Sequence, residues 1–160
     1  MEISISKIHK QDDPILAKII RDSLTEFNAN VRGTVYFDAS TDHLSELFRE
    51  AGSIYYVAKI NKKVVGGAGV FPTKGLPFGV SELVKMYLLP EARGLGIGKN
   101  LILRCIKFAK NKGDHSIYLE TLPELNIAVE VYRHMGFKNL PAPLGDSKHS
   151  GCSLWMIKEI

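Results

Sequence analysis

The sequence predicts an α/β protein, a mixed β-sheet with helices on both faces, and three observations carry that prediction. Segments with alternating or unbroken short apolar runs exchange places along the chain with segments whose apolar residues recur at helical spacing. Their order is mixed: two strands joined by the turn "NKK" come first, then strand, helix, strand, helix, strand, so hairpin and crossover connections share one sheet. Finally, 160 residues, 45% of them hydrophobic, suffice for one sizeable core and are too few for two, so one domain over 1–160 is expected.

Ile3, Ser4, Ile5 and Ser6 alternate apolar and polar, the pattern of a half-buried strand that runs on to about Ile8. Asp13-Pro14 opens a helix, since proline suits a first turn whose N–H groups lack partners. Its stripe of Leu16, Ile19, Ile20, Leu24 and Phe27 should face the core. Ser40 or Thr41 can cap a second helix carrying Leu44, Leu47, Phe48 and Ala51, which Gly52 ends. Ile54 to Ile60 and Val64 to Phe71 read as the hairpin strands. "GGAG", Gly66 to Gly69, sits inside the second with no helix after it, so close backbone packing explains it better than phosphate binding. After the loop "PTKGLPFG", Glu82 to Leu89 is a strand. Gly98 to Lys112 is a helix burying Leu101, Ile102, Cys105, Phe108 and Ala109, with Gly113 past its end. Ser116 to Glu120 is a strand, and Thr121 with Glu124 has capping-box spacing for a helix that reaches Met135 and stops at Gly136. Phe137 to Leu140 and Cys152 to Ile157 close the sheet.

The charge balance, 21 basic against 17 acidic residues for a net +4, suits an anionic ligand but is too small and dispersed to imply nucleic acid. The N-terminal "MEISISKIHK" has no apolar core of signal-peptide length, and no window approaches the roughly 18 apolar residues of a membrane span. A cytoplasmic protein without a membrane partner is expected. Cys105 and Cys152 sit in periodic apolar segments without zinc-site spacing, so they read as buried thiols and no metal is expected.

Chemistry concentrates in "LLPEARGLGIGKNLI", where an apolar run ends at a proline, Gly94, Gly96 and Gly98 follow at every second position, and a helix begins. Such a junction aims unpaired N–H groups from the positive end of a helix dipole, a natural anion site. A nucleotide-triphosphate loop would need glycine and then Ser or Thr where Arg93 and Asn100 stand. A dinucleotide fingerprint would need Gly-x-Gly-x-x-Gly, and this spacing is two throughout.

What remains is Arg-x-x-Gly-x-Gly, met by Arg93, Gly96 and Gly98 after "VKMYLLPEA", read as a strand, and it resembles the pyrophosphate loop of the GNAT superfamily of acetyl-CoA-dependent N-acyltransferases. "AVEVYRHMGF", Ala128 to Phe137, resembles the same family's helix with a tyrosine four residues before Gly-Phe. The resemblance implies a fold in which two neighbouring parallel strands splay apart around the pantetheine arm of acetyl-CoA. It implies that backbone groups of Met86, Tyr87 and Leu88 pair with pantetheine and that Arg93, Gly94, Leu95, Gly96, Ile97, Gly98 and Lys99 form the pyrophosphate loop. Relatives often carry an asparagine seven residues before the tyrosine; here that place is Leu125, and Asn126, the remaining candidate for that pantetheine contact, is turned by about 100°.

By the same resemblance Glu82 is the general base and Tyr132 the general acid. An amine of pKa about 10.4 is neutral in only roughly one molecule in two or three thousand at pH 7, a cost of about 4 to 5 kcal/mol, so a base is worth having. Strand alternation would put Glu82, Val84, Met86 and Leu88 on one side. A thiolate of pKa about 8.5 leaves fairly well unaided, so the acid should matter less, about 1 to 2 kcal/mol. His134 suits its helix's C-terminal dipole, while His149 and Cys152 are candidates for the acceptor side. The reading is an N-acetyltransferase in which a primary amine attacks acetyl-CoA directly in a ternary complex. A non-catalytic acyl-CoA-binding module is the alternative. The acceptor, a small-molecule or peptide amine, stays open, as does oligomeric state, a homodimer included.

Overall fold

A computed structural model of residues 1–160 folds as β1 (Ile3–Lys7), α1 (Asp13–Glu26), α2 (Leu44–Leu47), β2 (Ile54–Ile60), β3 (Lys63–Phe71), β4 (Val80–Leu88), α3 (Ile97–Asn111), β5 (Ser116–Thr121), α4 (Asn126–His134), β6 (Lys138–Leu140) and β7 (Leu154–Glu159). The strands form one seven-stranded sheet in the order β1-β2-β3-β4-β5-β7-β6. Only β4 and β5 pair in parallel, through the crossover helix α3, and every other neighbour is antiparallel. The mixed sheet matches the element order in the sequence.

Each face of the sheet carries its own core. On one, the α1 stripe Leu16, Ile20 and Leu24 packs with Leu44, Phe48, Tyr55 and Val57. On the other, Leu101, Ile102 and Cys105 of α3 and Tyr132 of α4 pack on Ala68, Val70, Leu83, Ile117 and Leu119. The β2–β3 turn places Asn61 and Lys62 at φ 48° and 70°, the left-handed pair that a tight hairpin needs.

Two helix expectations need correction. The second helix is a single turn, and neither Ser40 nor Thr41 caps it: both lie in a 3₁₀ turn, where the Thr41 hydroxyl donates to the Val35 carbonyl at 2.6 Å. Its cap comes from α1 instead, for Asp13 accepts from the Ser45 amide at 2.8 Å and the Ser45 hydroxyl at 2.6 Å. Nor do Thr121 and Glu124 form a capping box. Thr121 is the last residue of β5, and α4 starts only at Asn126, because the intervening turn delivers Leu122 and Leu125 into the α1-side core.

Candidate active site

β4 and β5 pair only at Val80–Ser116, Ser81–Ile117 and Glu82–Tyr118. Beyond Glu82 the strands part, β4 following β3 and β5 following β7, and a cleft of about 260 Å³ opens between them. A bulge drives the parting. Gly69 faces Val84 and Gly67 faces Tyr87, so β4 carries one residue more than β3, and Lys85 takes it up at φ 53°. The bulge is held from two strands away, where the buried Tyr55 donates its hydroxyl to the Lys85 carbonyl at 2.8 Å. Its ring crosses the sheet over glycine: a Cβ on Gly67 would lie 2.5 Å from that ring, and one on Gly69 2.7 Å. The "GGAG" stretch is thus the close-packing device its sequence suggested.

The bulge corrects the expected facing of β4. Glu82, Val84 and Tyr87 share the α1 side, whereas Met86 and Leu88 join Leu83 on the α3–α4 side, because one extra residue reverses the alternation. Tyr132 belongs to that second side, so Glu82 and Tyr132 line one cleft from opposite faces of the sheet. The cleft therefore passes through the sheet.

Glu82 is 4% exposed and accepts a hydrogen bond from the Thr73 hydroxyl. Burial, reinforced by the nearby Glu120 carboxylate, pushes its pKa up to about 7, against the Thr73 hydrogen bond and the attraction of His149 and Lys85. Glu120, on the facing strand, accepts from the Tyr118 hydroxyl at 2.6 Å and from the Ser147 hydroxyl. His149 and Asp38 meet at 2.6 Å and tie together the two loops beside this end of the cleft, reinforced by a Gly151 N–H to Gly33 carbonyl bond of 2.9 Å. His149 and Cys152 both line the cleft. Burial, with the carboxylates of Glu120, Glu82 and Asp38, pushes the Cys152 thiol up to about 12. Tyr132 is buried against Phe137, and burial raises its phenol above the usual range, so it carries its proton at neutral pH. His134 is exposed at the end of α4, its Nδ1 2.8 Å from the Glu130 carbonyl, and lies outside the cleft.

At the other end lies the glycine loop. Gly94 and Gly96 sit at φ 76° and 78°, and a Cβ on either would meet nothing within 4 Å. Their conformation excludes side chains while the space before them stays open. Gly96 is the N-cap of α3, whose first turn has no backbone acceptors for its N–H groups, so the loop suits the phosphates of a coenzyme A. Gly94, Gly96, Gly98 and Lys99 line the cleft, as do Met86, Tyr87 and Leu88. Leu95 is exposed, Ile97 is buried in the core and Asn126 is exposed at the start of α4, and none of the three lines the cleft; Leu125 does. Arg93 reaches the cleft wall, but its guanidinium is bound by Glu26 at 2.7 and 3.0 Å and by the Leu88 carbonyl at 3.0 Å, over the ring of Phe27. It fastens the loop to α1. Nothing in the local sequence signals Arg93's distant partner, or the convergence of Glu120, His149 and Lys85 on Glu82.

The model of the acetyltransferase (GNAT) family matches residues 17–137. The chain is 34% identical over 151 residues to the uncharacterised N-acetyltransferase YjgM of Escherichia coli, covering 94% of this chain and 90% of that one. Among solved structures, an acetyltransferase of the GNAT family from Staphylococcus aureus superposes with a TM-score of 0.86 at 21% identity over 99% of each chain. The PaiA N-acetyltransferase of Thermoplasma acidophilum, solved in complex with coenzyme A, superposes with a TM-score of 0.78 at 22% identity over 100% of both. With a splayed sheet, a glycine loop capping α3 and these relatives, the chain belongs to the GNAT family, and it is an acetyl-CoA-dependent acetyltransferase.

Proposed function

We propose that the protein transfers an acetyl group to a primary amine by direct attack in a ternary complex, with Glu82 as general base and Tyr132 as general acid. The observation that carries this reading is Glu82 itself: a carboxyl pushed up to about 7, at the branch point of the strands, opposite a protonated phenol. An ammonium must lose a proton before it can attack, and a base whose pKa lies near neutrality is matched to that task. Acetyl-CoA supplies the acyl group as a thioester.

Around it, the N-terminal amides of α3, with Gly94, Gly96, Gly98 and Lys99, hold the pyrophosphate, and the β4 edge along Met86 to Leu88, which has no strand partner toward β5, receives pantetheine. The PaiA structure, on the same fold and in complex with coenzyme A, supports coenzyme A as the ligand. Arg93 acts on the loop through Glu26, and Asn126 lies outside the cleft lining. Glu82 takes the amine proton on the α1 side, and Tyr132 gives its proton to the departing sulfur on the other. Direct attack is favoured because the cleft's own thiol, Cys152, is pushed up to about 12 and stays a poor nucleophile at neutral pH.

Calorimetric titration of acetyl-CoA into the wild type and Gly96→Glu, followed by an amine panel read by thiol release, tests the reading. Binding by the wild type alone, with turnover that Glu82→Gln reduces, is expected. Binding without turnover on any amine would favour the non-catalytic module, and binding by neither protein would remove the donor site.

A further inference from the structure

Lys85 is the cleft residue to which acetyl transfer assigns no task. It occupies the β4 bulge, lines the cleft and is half-buried. No side-chain hydrogen bond or ion pair holds its ammonium, and since no fully buried polar atom of the protein lacks a partner, its tip is not sealed off, on a residue that lines the cleft. Burial lowers its pKa, while Asp38 and Glu82 act on it from beyond contact distance. Neither is within ion-pair distance of its ammonium: Asp38 is in contact with His149 at 2.6 Å, and Glu82 with Thr73. A half-buried cation with no carboxylate in contact is only partly compensated, and a ligand anion that reaches it adds the missing contact.

The donor's phosphates belong at the α3 N-terminus, whereas Lys85 lies within the field of Asp38 and Glu82 on the acceptor side. Two carboxylates, Glu82 and Glu120, stand on the facing strands there, so cationic and anionic groups alternate. We infer that the acceptor is an amine that also carries a carboxylate, a free amino acid or similar aminocarboxylate, whose carboxylate pairs with Lys85 while its amino group faces Glu82 and Glu120. The inference rests on the acetyl-transfer reading. A polyamine or a peptide lysine would instead bring a second cation to an unpaired one.

The test compares kcat/KM for the standard amino acids with that for the amines left by their decarboxylation, in wild type, Lys85→Met and Lys85→Arg. The wild type should prefer at least one amino acid over its amine by about 10- to 100-fold, the range of a charge-assisted hydrogen bond. Lys85→Met should bring that ratio close to one, and Lys85→Arg should keep most of it. A wild-type ratio of one or below for every pair, or a preference that survives Lys85→Met, would overturn the assignment. Calorimetry of the same pairs on coenzyme A-saturated protein reads the preference without turnover, so equal binding of amino acid and amine also overturns it. Selective amino-acid binding with no thiol release would instead retain the Lys85 subsite and discard acetyl transfer.

Discussion

Burial raises the Glu82 carboxyl from 4.5 to about 7, so the folded state holds this proton more tightly than the unfolded chain does. Between those two values the native protein binds more protons, and its unfolding free energy falls as pH rises, by about 3 kcal/mol in all. The cost is absent below the unfolded pKa and complete above the folded one. Glu82→Gln removes it, so thermal melts should show the variant more stable than wild type at pH 8 by about 2 to 3 kcal/mol and equal to it at pH 4. Its turnover should fall about 10²- to 10⁴-fold, and the wild-type rise in rate through pH 7 should vanish with it. Tyr132→Phe should slow turnover only about 10-fold, because a thiolate leaves fairly well without help.

The β4 bulge depends on elements rather than on Lys85 alone. Tyr55→Phe deletes the 2.8 Å bond to the Lys85 carbonyl and leaves that carbonyl unpaired, a loss of about 1 to 3 kcal/mol in denaturant unfolding. Because the bulge opens the cleft, acetyl-CoA affinity should fall in the same variant. Gly67→Ala should destabilise the protein as well: its methyl would lie 2.4 Å from the Tyr56 carbonyl and 2.5 Å from the Tyr55 ring, and overpacking costs about 1 to 3 kcal/mol. Gly96→Ala meets no neighbour, so its penalty is conformational, about 1 to 2 kcal/mol for a side chain held at φ 78°.

At the scale of the molecule, a sheet with a core on each face is parted in its middle, and the ligand proposed for the cleft would bridge the two halves. Coenzyme A at about a hundred times its dissociation constant should therefore stabilise the fold by about 2.7 kcal/mol, a gain that Gly96→Glu should lose in a melting experiment. The loops at 31–38 and 147–152 are clasped by Asp38 and His149, whose side chains are 35% and 18% exposed. With that exposure, His149→Ala should cost only about 1 kcal/mol of stability, while KM for the acceptor rises more than KM for acetyl-CoA.

By itself the sequence determined the strand and helix order, the glycine loop and the family, because periodicity, turn chemistry and a short motif are local properties of the chain. It also announced the β2–β3 hairpin and the close packing at Gly66 to Gly69. Tertiary structure decided which way β4 faces: a bulge is one residue of register, and its position depends on pairing with β3 and on a hydroxyl from β2. The start of α4 and the cap of α2 were likewise decided by Leu122, Leu125 and Asp13 meeting partners elsewhere in the fold. Charge followed the same rule. Arg93, in the glycine-loop motif, is bound by Glu26 of a distant helix, and Lys85, silent in the strand pattern, stands unpaired within reach of the charges of Glu82 and Asp38 only because strands and loops far apart in the chain converge there.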